Sequence, residues 1–201
     1  MAYSQVGIIN LGLSHIGQKA IQSTTEATVQ AVAAMRVWEF VLKETLASKQ
    51  WGFANVITAL AEDANYSPLD YSYAYAYPAL GVRVWLVYDE ETVKKTIGER
   101  FRVAYSPTYN AKIIETDVYQ AYCEYTYYIT DVTKYDPHFV TAISHRLAAE
   151  LAIPLNGDKE LAKEQMEVFN NRTSEAHRFS EHEHNEDNQA NQTSGIIDAR
   201  G

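Results

Sequence analysis

Apolar residues recur at Val6, Ile9, Leu13 and Ile16, spacings that draw one stripe along a helix, with Gly17 placed to end it. The next segment, STTEATVQAVAAMRVWEFVLKETLASKQW, gives the strongest helical pattern in the chain. Thr24 or Thr25 is positioned to cap it and Glu26 suits its first turn. Val29, Ala33, Val37 and Phe40 form one stripe, and Met35, Trp38, Leu42 and Leu46 form a second. The polar remainder is narrow, with Glu39 and Lys43 spaced for an ion pair. A helix apolar over most of its girth is expected to be covered on more than one side, which makes this the central helix.

After Trp51 the period changes to two. WGFANVITAL, the stretch DYSYAYAYP, VRVWLVYD, FRVAY, AKIIE and QAYCEYTYYIT are short strand candidates, separated by segments holding Pro68, Pro78, Gly98 and Pro107. Val82, Val84, Leu86 and Tyr88 alternate with Arg83, Trp85 and Val87, so that strand is apolar on both faces. Without crossover helices, pairing is expected to be antiparallel. Helix returns in YDPHFVTAISHRLAAELAIPL, with Asp136 as N-cap and Pro137 at the first helical position. Val140, Ile143, Leu147 and Leu151 give its inward stripe, and Pro154 is expected to stop it. Asp158 caps a looser amphipathic helix carrying Leu161, Met166, Phe169, Ala176 and Phe179.

The expected fold is therefore α+β: a mainly α-helical bundle, from helices at about 5–50 and 133–179, with an antiparallel β insertion at about 51–131 between the second and third long helices. Residues 1–180 are expected to form a single domain, and 181–201 a polar C-terminal tail. In that tail, SEHEHNEDNQANQTSGIIDARG, periodicity is lost and little can be buried to offset the entropy of ordering. Such a segment is ordered by a partner. Ile196 and Ile197, followed by Asp198 and Arg200, are the expected anchor, against an adjacent subunit or another protein.

Composition narrows the functions. Hydrophobic residues at 46% and charged ones at 21% promise a real core. A net charge of -9 argues against wrapping nucleic acid through its phosphates. No apolar run approaches a membrane span, and the start lacks the order of a signal peptide. The single cysteine, Cys123, has no partner for an internal disulfide and reads as a small buried hydrophobe. The outlier is tyrosine, 15 copies against 6 phenylalanines, with Tyr71, Tyr73, Tyr75 and Tyr77 on alternating positions. Four phenols on one strand face could stack a sugar or a base, but the flanks are Asp63, Asp70 and Asp89, and the first nearby cation is Arg83. Small residues Ser72, Ala74 and Ala76 stand between them, which suits a packed sheet face or a subunit contact. Tyr73, Tyr75 and Tyr77 are accordingly candidate partner-contact residues.

Candidate chemistry is sparse. His182 and His184 lie among acids in EHEHNED, but without a distant third ligand or a scaffold they read as solvated tail. Ser14 and His15 are helix neighbours about 100° apart and cannot pair as nucleophile and base. His145 and Glu150, five apart, share no face well. No phosphate-binding glycine loop, Cys-x-x-Cys pair, G-x-S-x-G elbow or H-E-x-x-H helix is present. No catalytic residue, metal ligand or cofactor is assigned.

Four stretches stand in a telling order: NLGLSHIG, the long helix leading through LASKQWGFA, the YAYAYP strand, and YDPHFVTAISHRLAAELAIPL. Their most specific parts are W-x-F-A at Trp51–Ala54 and RLAAELAIPL from Arg146 to Leu155. Over residues 5–180 the chain resembles the tail tubular protein A family, the head-to-tail adaptors (connectors) of short-tailed bacteriophages and related prophages. It departs from the family's pattern after Pro78, where Ala79-Leu80-Gly81 stand. The resemblance implies a virion protein, present in the host cytoplasm during assembly. It implies a homo-oligomeric ring, typically a dodecamer, bound beneath the portal protein with the tail nozzle protein docking on its far side. Tail fibres are a further candidate partner. Viral DNA would pass through the lumen without sequence-specific binding, no membrane would be involved, and nothing would be catalysed. The alternatives are a stopper or other tail-completion protein, or a receptor- or glycan-binding tail module using the tyrosine face.

Overall fold

A computed structural model of the chain describes residues 3–63, 66–90, 98–107 and 110–175. The chain divides into two compact units, Met1–Gly52 with Asp131–Gly201, and Phe53–Thr130.

The first unit is helical. Helix α1 (Gln5–His15) is capped by Ser4, whose side chain accepts from the Gly7 amide at 3.0 Å. It ends where Gly17 turns left-handed at φ 68° and the Gln18 amide donates back to the Leu13 carbonyl. Helix α2 (Val29–Ser48) starts later than the sequence suggests, because its N-cap is Thr28, not Thr24 or Thr25. Glu26 lies ahead of the helix, where its carboxylate accepts from the amides of Gln22 and Ser23 and from the Thr28 hydroxyl. Helix α3 (Pro137–Asn156) has the expected Asp136 cap, accepting from the Phe139 amide at 2.7 Å. Pro154 does not stop it. A proline so close to the end removes only one hydrogen bond, and the helix runs on until Gly157 adopts φ 69°. Asp158 then caps α4 (described over 159–175) through the Leu161 amide.

The centre of this unit is α3, not α2. Between Phe139 and Ala152 eleven of its residues are buried, and it packs against both α1 and α2. Its alanines at 142, 148, 149 and 152 keep its girth small, so neighbours can approach from several sides. Gly12 marks one such approach: a Cβ there would stand 3.1 Å from the Ser144 carbonyl. Trp51 closes one end, its ring edge-on to Phe139 at 5.0 Å and its indole donating to the Thr45 carbonyl.

The second unit holds two three-stranded antiparallel sheets. With strands β1 (Asn55–Ala59), β2 (Tyr73–Ala76), β3 (Gly81–Tyr88), β4 (Phe101–Ser106), β5 (Ala111–Thr116) and β6 (Tyr122–Tyr127), their orders are β1-β6-β3 and β2-β5-β4. This corrects the expectation of a mainly helical bundle carrying one β insertion: beside four helices the described residues form two separate sheets with a core of their own. Tyr75, Val84, Val87, Ile114, Cys123 and Tyr125 come from both sheets and pack together, which lets this segment fold as a compact unit. Strand β3, expected to be apolar on both faces, carries a local irregularity. A register shift between Val84 and Leu86 inserts an extra residue, so Val84 and Val87 both face the core.

Among the described residues of this unit two carboxylates are buried. Glu124 on the central strand β6 accepts from the Asn55 amide at 2.6 Å and from the Tyr88 hydroxyl. Burial, and then that contact, push the Tyr88 phenol pKa upward. Glu115 on β5 faces its register partner Arg102 on β4 at 2.5 Å and accepts from the Tyr66 hydroxyl.

Candidate partner interface

Helix α2 places one face inward and leaves the other uncovered. Ala31, Ala34, Trp38, Val41, Leu42, Thr45 and Leu46 are buried. On the opposite side Val29 is 70% exposed, Val32 50% and Phe40 56%. The expected burial on two sides is thus not supplied by the described residues, among which α2 is buried along a single face. An amphipathic helix normally turns charge outward; here two apolar faces lie back to back.

The uncovered face is held in place from α3. Arg146, 4% exposed at its side chain, reaches the Glu44 carboxylate at 2.6 Å and Glu150 at 2.6 Å. Its guanidinium also stands 5.6 Å over the Phe40 ring. Glu150 lies one turn beyond Arg146 on its own helix, while Glu44 ties α3 to α2. On the outer surface Glu39 and Lys43 pair at 2.7 Å, as their spacing suggests. Toward the start of α2 the face deepens into a groove lined by Ala27, Val29, Val32, Ala33 and Arg36, with Pro154 and Leu155 from the end of α3.

The tyrosine row is placed differently from a binding platform. Only Tyr73–Ala76 is strand. Tyr75 is 1% exposed, and its hydroxyl donates to the Val118 carbonyl at 2.7 Å. Tyr73 and Tyr77 are half-buried against the same core. Tyr71 precedes the strand and lies under Arg100 and Arg102, at 4.9 and 5.6 Å. The rings wall a core and leave Tyr75 no area to offer a partner. The other candidate contacts, Ile196, Ile197, Asp198 and Arg200, lie outside the described residues, as do His182 and His184.

Elsewhere the polar groups engage each other. Ser14 donates to the Leu11 carbonyl, not to His15. His15 instead stacks on His145 with ring centroids 4.0 Å apart and 11° between planes. The His15 Nε2 meets the Ser144 hydroxyl at 3.0 Å, and His145 Nδ1 meets the Gln165 side chain at 2.8 Å. No spacing in the sequence foretells this pair, which joins α1, α3 and α4. Cys123 is buried, and desolvation pushes its thiol up to about 12. Among the described residues no group of three or more His, Cys, Asp or Glu is placed to hold a metal. A cavity of about 470 Å³ in the second unit is lined by Asp89, Glu99, Arg100, Thr116, Asp117, Val118 and Tyr119. Among the described residues no helix is long and apolar enough to cross a membrane.

The histidine stack carries a pH prediction. Burial first, and then the facing His145, lower the His15 pKa from 6.5 to about 4. The unfolded chain therefore takes up this proton before the folded one does. Stability from this site is complete above about pH 6.5 and is lost as pH falls toward 4. Solvent screening at a half-exposed ring limits the loss to about 1–2 kcal/mol. His15→Gln should flatten that part of a melting-temperature profile; a profile identical to the parent's would remove His15 as its cause.

No protein-family model matches this chain, and no curated protein matches it.

Proposed function

We propose that this protein is a structural head-to-tail adaptor of a short-tailed phage virion, forming a ring between the portal protein and the tail nozzle. The observation that carries the reading is the second apolar face of α2. Val29, Val32 and Phe40 are apolar and exposed on a helix that the described residues cover only on the opposite side. A helix of this kind is completed by assembly, because burying such side chains contributes about 1.5–3 kcal/mol each. The resemblance to tail tubular protein A chooses which assembly. Its RLAAELAIPL stretch includes Arg146, which ties α3 to α2 through Glu44, and Glu150, which pairs with Arg146 on the same helix. The net charge of -9 suits a channel wall that lets DNA pass without holding it.

The test is assembly on the portal. Mixed with the portal protein of the same virus, the chain should form one particle of fixed stoichiometry, seen as a ring by electron microscopy. Phe40→Asp should leave the melting temperature unchanged and weaken incorporation by about tenfold or more, the equivalent of one buried apolar side chain. If the parent fails to co-sediment with that portal at any ionic strength, the adaptor reading falls. If Phe40→Asp assembles as well as the parent, the α2 face is not the contact.

A further inference from the structure

His15 at the end of α1 and His145 within α3 lie ring on ring, and their hydrogen bonds fix where each keeps its proton. The Ser144 hydroxyl donates to the Thr141 carbonyl at 2.8 Å, so it accepts from His15 Nε2 at 3.0 Å. On α4 the Gln165 side-chain carbonyl accepts from His145 Nδ1 at 2.8 Å. Each neutral ring thus gives its one N–H to a neutral acceptor. The bare nitrogens, His15 Nδ1 and His145 Nε2, have no partner among the described residues.

A proton added at either bare nitrogen meets no acceptor and puts a charge against the other ring. The charged groups of the packed helices do not compensate it. Helix α1 has no ionisable side chain besides His15. Arg146, beside His145 on α3, is held by Glu44 of α2 and by Glu150. On α4 Lys163 stands 4.0 Å from Glu167, and Glu164 is exposed. Neither ring has a carboxylate partner among the described residues. Burial first, and the facing His145 second, lower the His15 pKa to about 4, in keeping with this geometry.

The two helices joined to α3 by this pair are not equally fastened. Helix α1 buries Ile8, Ile9, Gly12 and Leu13. Helix α4, over 159–175, buries only Gln165 and Phe169, and Gln165 is the residue that the histidine pair holds. An element with so few buried contacts opens at a lower cost than the whole unit.

We propose that the His15–His145 stack is an acid-opened latch. It holds α4 on α3 while both rings are neutral, and releases α4 once either ring takes up a proton. Protons bind the open form first, so opening grows as pH falls from about 6.5 toward 4. The latch is independent of ring assembly, and the free chain tests it.

The experiment is native-state amide hydrogen exchange of the full chain at pH 7 and pH 5, read as protection factors to remove the intrinsic effect of pH. Amides over 162–173 should exchange through an opening that low urea leaves unchanged, and faster than amides over 31–46 of α2. Their protection should fall about tenfold between the two pH values. His15→Gln with His145→Gln should remove that fall. Gln165→Glu should also remove it, because a carboxylate facing His145 pairs with the protonated ring. If the double variant does not fold, the parent and Gln165→Glu decide. Unchanged α4 protection in the parent at pH 5 overturns the proposal. So does exchange of α4 at the rate and urea dependence of α2, which would mean that α4 leaves only when the whole unit unfolds. A fall in Gln165→Glu equal to the parent's overturns the histidine charge as its cause.

Discussion

Trp38→Ala should lower the unfolding free energy by about 3–5 kcal/mol, the range for truncating a large buried side chain. Trp38 is 8% exposed at the middle of the inward face of α2, between Ala34 one turn before and Leu42 one turn after. Both small and large neighbours there are fixed by the helix, so the space left by an indole cannot close by a side-chain rotation alone. The loss is transfer free energy plus the residual cavity. Phe40→Ala, two residues away on the outer face and 56% exposed, is the internal control and should cost less than about 1 kcal/mol. Urea unfolding followed by far-ultraviolet circular dichroism reads both. Equal midpoints for Trp38→Ala and the parent would show that the inward face has been misassigned.

What the sequence made legible was local. The Asp136-Pro137 start of α3 and the Asp158 cap of α4 are each written within four residues, and each is present. Two residues in the sequence, Pro154 and Gly157, signal the end of α3. The left-handed turn decides, since it redirects the chain while the proline merely omits one donor. Period-two patterning marked the strands but not how many sheets they build, which depends on pairings such as Phe101 with Thr116 and Tyr73 with Thr116. The choice of α2 as the central helix failed for a related reason. Apolar girth says that a helix can be covered on two sides, and not whether its own chain covers it. Alanine content does not separate the two either, since each twenty-residue helix holds four; it is the eleven buried residues of α3 that mark it as the helix others surround. The candidate interface was therefore half legible: Val29 and Phe40 stand in one stripe of the sequence, and only the fold reveals that they face outward. The His15–His145 stack, bridging residues 130 apart, left no trace in any window of sequence.

Arg146 is where the inner and outer faces meet, and its loss should rival that of Trp38. Its side chain is 4% exposed, yet it carries a full charge whose compensation comes from Glu44 and Glu150, 44% and 33% exposed. Arg146→Ala removes the cation and leaves the carboxylates of Glu44 and Glu150 without it. Breaking a buried pair from one side costs about 3–5 kcal/mol, and partial hydration of the two glutamates places this case near the lower end. Arg146→Met fills the same volume and should recover about half of the loss. Combining it with Glu44→Gln and Glu150→Gln should recover most of the remainder, because a buried pair replaced as a whole by neutral groups is often neutral for stability. The order Ala, then Met, then Met with both glutamines is the expected ranking of midpoints in urea. If the triple variant is no more stable than Arg146→Met, uncompensated carboxylate charge is not the cause and packing alone accounts for the residue. The guanidinium over Phe40 adds a readout that stability does not give. Arg146→Met keeps the helices together but releases that ring, so it should weaken incorporation on the portal beyond its effect on unfolding. Equal losses in both measurements would mean that Arg146 supports the fold without shaping the outer face.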